Sequence, residues 1–172
     1  MEALAAALAA HPAASMTELA AAAGMSRATL HRRFPSRDAL IAKVAEEAVA
    51  AATDAVRVAA LDEGTALEAC ERLVTALVPL GSRFAVLLRE GVWVDELPTV
   101  APGLAAMEQA VETLIRRGRT SGELRSDLPA RYQTRLLLNA VFTAWEAVRD
   151  GDLGSREAPA ATTAALLRGI AS

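Results

Sequence analysis

The chain has 172 residues, a formal net charge of −3 and a sequence pI near 5.5, which suits one domain, or a small one joined to a mid-sized one, and excludes a large multidomain enzyme. Hydrophobic residues make up 53% but aromatics only 3%; alanine predominates, so the apolar content favours helix over strand and an all-α fold is expected. The lone Cys70 excludes an intrachain disulfide framework and a multi-cysteine metal site, and with no basic leader at Met1 and no apolar run approaching ~20 residues, a cytoplasmic protein without membrane association is expected.

A first short helix carries Leu4 and Leu8 one turn apart and must stop at His11-Pro12, because proline has no N–H to donate. Ser15-Met-Thr-Glu18 is a capping box, with serine and glutamate each able to satisfy the other's backbone, and it opens a helix over about 16–23. Gly24 marks a sharp turn, Ser26 can cap a two-turn helix over 27–34, and Pro35-Ser36 separates it from a long alanine-rich helix over about 37–61. Gly64 breaks the chain before a second capping box, Thr65-Ala-Leu-Glu68, whose helix runs to Pro79 and Gly81. A short helix over about 82–90 and a proline-interrupted connection through Trp93, Pro98 and Pro102 follow. Leu104, Met107, Val111, Leu114, Ile115 and Gly118 recur at helical spacing over about 103–119. After a loop at 122–128, Pro129 suits a first helical turn and a long helix covers 130–149, with a last one over about 156–170. The expectation is about nine helices.

The segment from Leu19 to Phe34 is more specific than two helices in succession. A helix-turn-helix needs a small residue where its helices cross, glycine in the turn and apolar pegs on both inner faces. Ala20, Gly24 and the set Leu19, Ala23, Met25 and Leu30 supply them in order, although a plain αα-hairpin shares most of this spacing. Charge bears on the choice. The window 26–37 holds four arginines, a histidine and no acid, whereas beyond position 45 the chain carries 13 basic and 18 acidic residues. A net positive patch centred on one short helix of an otherwise acidic protein is what local phosphate contact is expected to look like.

The run Gly24-Met-Ser-Arg-Ala-Thr-Leu-His-Arg-Arg-Phe34, followed by Arg37 and Leu40, closely resembles the DNA-binding signature of TetR-type transcriptional repressors, Gly-Val-Ser-x-x-Thr-Leu-Tyr-x-His-Phe-x-x-Lys-x-x-Leu. The resemblance implies a three-helix DNA-binding domain over 1–45 and a helical ligand-binding and dimerisation domain over 46–172. It implies that Ser26, Arg27, Ala28 and Thr29 lie at the end of the recognition helix that reaches base edges and nearby phosphates. Arg27 has the reach for a bidentate guanine contact. His31 stands where the family has tyrosine, Arg33 where it has histidine and Arg37 where it has lysine; with Arg32 these retain donors for phosphate. Met25, Leu30, Phe34, Leu40 and Ile41 are expected to pack. The basic arm that commonly precedes the first helix is missing, so a shallower salt dependence is expected.

From Leu136 to Val148 the pattern is inverted. Asn139, Thr143 and Glu146 form one narrow polar stripe and everything else is apolar, so the helix must be covered on more than one side, by a partner chain or as the central helix of a monomer. The resemblance implies that the last two helices build a four-helix interface with a twofold mate, that the homodimer binds a near-palindromic double-stranded DNA operator, and that an unidentified small-molecule effector bound among the middle helices releases it. Candidate effector-contacting residues are Phe84, Leu87, Leu88, Trp93, Met107, Val111, Phe142 and Trp145, with Asn139, Thr143 and Glu146 as polar neighbours; a stripe of large apolar residues is equally the pattern of plain core. No phosphate loop, His-Glu-x-x-His or Gly-x-Ser-x-Gly occurs, only two histidines are present, and no catalytic residue, metal or cofactor is expected. Cys70 reads as a structural thiol, with a redox role as the alternative. A degenerate module that binds a ligand or protein without DNA, and an activator of the same fold, are the competing functions.

Overall fold

The computed structural model describes residues 1–81, 83, 85, 86 and 96–171. Among them the chain forms eight α-helices and one 3-10 turn: α1 Glu2–Ala10, α2 Met16–Ala22, α3 Arg27–Arg33, α4 Arg37–Val58, α5 Ala66–Leu77, the 3-10 turn Val78–Leu80, α6 Ala101–Thr120, α7 Ala130–Asp150 and α8 Ala158–Ile170. The expected all-α class holds. The expected helix over 82–90, which would make the count nine, lies largely outside the described residues, as do Phe84, Leu87, Leu88 and Trp93.

Three boundaries differ from expectation for local reasons. α4 stops at Val58 rather than near 61 because Ala60 takes a left-handed φ of 44°, which ends the helical ladder. α6 begins at Ala101, ahead of Pro102 and Gly103, since the first turn of a helix has no use for a proline N–H. α8 begins at Ala158 with Pro159 in its first turn, two residues later than expected.

Two compact units divide the chain: Met1–Ala50 with Ser82–Pro102, and Ala51–Gly81 with Gly103–Ser172. In the first, α2 packs on α1 and on α3. Leu4, Leu8, Leu19, Ala20, Leu30, Phe34, Leu40, Ile41 and Val44 are buried, and burying each leucine is worth about 1.5–3 kcal/mol. Met25, expected among them, is half-buried. In the second unit α8 packs on α7 and α5. The buried faces are Ala69, Cys70, Leu73, Val74 and Leu77 of α5, Val111, Leu114 and Ile115 of α6, and Leu137, Val141 and Ala144 of α7. Gly118 of α6 is a close-approach site, where an added Cβ would come within 2.7 Å of Ala66 and Leu124.

Candidate nucleic-acid interface

The geometry of α2 and α3 follows from their caps. Ser15 Oγ accepts from the Glu18 N–H at 3.3 Å while the Glu18 carboxylate accepts from the Ser15 N–H at 2.7 Å and from its hydroxyl at 2.7 Å. Those bonds, the backbone one first, hold the Glu18 carboxyl below the usual carboxylate range. α2 ends in a tight reversal, with Gly24 at φ 68° and the Met25 N–H reaching back to the Ala20 carbonyl at 2.9 Å. Only glycine adopts that φ without strain. Ala20, 1% exposed, lies at the crossing, and Leu30 inserts from α3 at 0% exposure, so the helix-turn-helix spacing of the sequence corresponds to a real wedge.

Ser26 caps α3. Its Oγ accepts from the Thr29 N–H at 3.1 Å and lies 2.9 Å from the Thr29 hydroxyl, a cap worth about 0.5–2 kcal/mol to a helix of this length. Ser26, Arg27, Ala28, Thr29, His31, Arg32 and Arg33 are all exposed, and Leu30 between them is the residue that anchors the helix. Arg27, Arg32 and Arg33 enter no ion pair among the described residues. Arg33 does stack its guanidinium over the Phe34 ring, 5.4 Å from the centroid. Arg32 and Arg33, with His31, fall in the last turn, where the two guanidiniums also complement the helix dipole. Arg37 differs from the others: it is half-buried, and its Nη2 donates to the Pro12 carbonyl at 2.6 Å, tying the α1–α2 connection to the start of α4. That structural duty was not legible in the motif.

The effector candidates that are described fall in three surroundings. Met107 and Val111 are buried on α6. Phe142 and Trp145 stack with centroids 6.2 Å apart, Arg149 lies 5.0 Å over the indole, and Trp145 presses on Gly81 so closely that an added Cβ there would sit 2.3 Å from it. Glu146, beside them in sequence, is half-buried and pairs with Arg149 at 3.8 Å. Asn139 and Thr143 are exposed and turn back on their own helix, bonding the Arg135 and Asn139 carbonyls. They line an open apolar groove of about 640 Å³ between α7 and α8, together with Leu136, Ala140, Ala144, Ala161, Ala165 and Leu166. Sequence reasoning had put Asn139 and Thr143 beside the aromatic pair; Phe142 and Trp145 are not among the side chains lining that groove.

Cys70 is fully buried. Burial pushes its thiol up to about 12, against a smaller opposing effect of Arg117, so it remains a protonated, unreactive group at neutral pH. Among the described residues no cluster of three potential metal ligands occurs, and no helix is long and apolar enough to cross a membrane.

With this geometry the comparisons agree. Residues 1–44 match the family model of bacterial regulatory proteins, tetR family. The HTH-type transcriptional regulator NfxB of Pseudomonas aeruginosa is 29% identical over 157 residues, 90% of this chain and 83% of that protein. The HTH-type transcriptional repressor LfrR of Mycolicibacterium smegmatis is 27% identical over 144 residues, 84% of this chain and 74% of that one. The crystal structure of LfrR in complex with proflavine superposes with a TM-score of 0.78 at 25% identity, covering 99% of this chain and 93% of the other. The ketosteroid regulator KstR2 of Mycobacterium tuberculosis shares the fold at 18% identity and a TM-score of 0.77, over 99% and 92% of the two chains. The amino-terminal 44 residues thus match the tetR family model, and along nearly its whole length the chain is similar in fold to TetR-like transcriptional regulators, which supports a DNA-binding transcriptional regulator of that type.

Proposed function

We propose that the protein is a repressor that binds a near-palindromic operator as a homodimer and leaves it when a small-molecule effector binds. The observation carrying the reading is α3 itself: a capped helix anchored by Leu30, with Ser26, Arg27, Ala28 and Thr29 exposed at its amino end and Arg32 and Arg33 exposed beyond, all without ion-pair partners among the described residues. In this reading residues 1–45 bind DNA and 46–172 sense and dimerise. Arg27 reads a guanine edge while His31, Arg32, Arg33 and Arg37 contact phosphates.

Dimerisation is supported by the α7–α8 groove, whose apolar floor and small residues Ala140, Ala161 and Ala165 suit close approach of the same two helices from a second copy. Twofold symmetry then sets the two copies of α3 one DNA turn apart, roughly 34 Å. Effector release follows if the ligand favours a conformer with another separation. The similar LfrR was crystallised with proflavine, so planar aromatic cations are the first class to try. Phe142, Trp145 and Glu146, with Met107 and Val111, are the described side chains proposed to face the effector.

The test is selection of bound duplexes from a random DNA pool at low salt, then challenge of the complex with proflavine and related dyes. An enriched twofold sequence and dye-dependent release support the repressor; no enriched palindrome leaves a ligand-binding or interaction module without DNA.

A further inference from the structure

Among the described residues that line the open groove between α7 and α8, none is charged, and Asn139, Thr143 and Thr162 carry its polar side chains. In a chain with 23% charged residues, a charge-free face is what pairing with an identical copy requires, because near a twofold axis every charge meets its own kind. The cleft on the other flank of α8, against α5, lacks that property: it carries Glu71, Arg156 and Arg168.

The three polar side chains differ in what they have left to offer. Thr162 is buried. The Thr143 hydroxyl donates to the Asn139 carbonyl at 3.1 Å, so its one hydrogen is committed and it can only accept; two such hydroxyls facing each other form no bond. Asn139 is exposed, and one amide N–H donates to the Arg135 carbonyl at 3.0 Å. Because a carbonyl only accepts, that bond fixes which way the amide points. Its second N–H and its Oδ1 have no partner among the described residues. A side chain with one donor and one acceptor open is self-complementary, able to pair reciprocally with its own copy.

We infer that Asn139 meets its own counterpart in a second copy of the chain near the twofold axis, and that this amide pair sets the register of the paired helices and restricts the groove to chains carrying the same amide. The inference rests on the homodimer proposed above. Ala140, Ala161 and Ala165 permit close approach, but small apolar residues fit many neighbours and many registers. A slip of one helical turn, about 5.4 Å, would set each amide against alkyl carbon and leave a donor and an acceptor buried and unpaired. Alanine supplies closeness and the amide supplies selectivity.

The test is charge complementation in the full-length protein, read by sedimentation. Asn139→Asp and Asn139→Lys are each expected to dimerise roughly tenfold or more weakly than wild type, since like charges then face each other across the axis. Their equimolar mixture is expected to hold more dimer than either variant alone. No gain on mixing overturns the inference, whether the single variants dimerise like wild type or not at all. Thermal melts check folding, and Asn139→Cys replaces the pair should either variant not fold. Cys70 is buried and stays silent, so oxidation should link N139C into a covalent dimer far faster than Thr113→Cys at an exposed position of α6; equal rates overturn the inference. A wild type that sediments as a monomer at every concentration fails the dimer reading itself, and the amide pair falls with it. A dimeric wild type whose variants show no complementation leaves that reading standing and removes the amide pair alone.

Discussion

Arginine is used in opposite ways at the two ends of this molecule. On α3, Arg27 and Arg32 stand exposed without an ion pair among the described residues, and Arg33 lies over the Phe34 ring. In the second unit several guanidiniums are already engaged: Arg72 and Arg117 on loop carbonyls, Arg119 on the Ser126 carbonyl, Arg125 on Asp127 and the Gly169 carbonyl, Arg149 on Asp150 and the Trp145 ring, whereas Arg135, Arg156 and Arg168 are exposed without such a bond among the described residues. A guanidinium has five donors and is charged at any working pH, so whether those donors are already taken says more about its role than its frequency in the sequence. Where they are taken, arginine is internal scaffolding. Where they are open and no acid lies nearby in sequence, as over 26–37, arginine is available to an anion from outside.

The sharpest way to break that comparison is Arg27→Ala. If Arg27 reads a guanine, discrimination at one position per half-site falls by about 1–3 kcal/mol, counted twice in a symmetric dimer, and competition binding against single-base operator variants would show it as a specific rather than uniform loss. Uniform weakening would make Arg27 a phosphate contact instead. Arg72→Gln, on the other side of the comparison, should lower folding stability by about 1.5–3 kcal/mol, the range for hydrogen bonds to a charged group, measured by urea denaturation. Its binding should keep the wild-type salt slope. A slope that falls in Arg72→Gln would place that residue on DNA and erase the distinction. Arg32→Gln with Arg33→Gln should do the reverse, leaving the urea midpoint nearly unchanged while the slope of log K against log salt drops by about one per phosphate contact removed.

How far the sequence reveals these roles differs between the two units. The helix-turn-helix is local: Ser15 with Glu18, Gly24, Ser26 and Leu30 act on partners within a few residues, so their spacing alone specifies caps, turn and peg. The inverted pattern of α7 likewise pointed to cover on two sides, and the α7–α8 groove is there. What spacing could not reveal were partners far apart in sequence. Arg117 bonds carbonyls more than fifty positions away, Arg37 reaches Pro12 across 25, and Glu123 accepts from the Ala66 and Leu67 N–H groups at the start of α5. Such side chains look like solvated charges until the chain is folded. Asn139 and Thr143 were set beside Trp145 because they are near it in sequence, yet a helix turns about 100° per residue and carries them into the groove.

Cys70 offers a smaller effect. With its thiol buried and pushed up to about 12, it should resist a thiol-specific disulfide reagent in the native protein and react stoichiometrically after denaturation; rapid native labelling would reopen a redox role for the second unit.

Carboxylates complete the contrast, because those that cap helices are also committed. Glu18 and Glu68 are held low by bonds from Ser15 and Thr65, and Glu123 by the Ser121 hydroxyl and then by the backbone of Ala66 and Leu67. A carboxyl whose folded pKa lies below its unfolded value binds fewer protons when folded, so its contribution to stability is fully present above the unfolded glutamate pKa of about 4.3 and is lost as pH falls through the depressed folded value. Melting temperature should therefore be flat from neutral pH to about 5 and decline below it. Glu123→Gln removes one such group: it should lower the neutral-pH melting point slightly and make the acid decline shallower. Glu46→Gln, on a carboxylate paired at the surface with Lys43, is the comparison, and if it flattened the acid limb as much as Glu123→Gln, long-range capping of α5 would not be what acid removes.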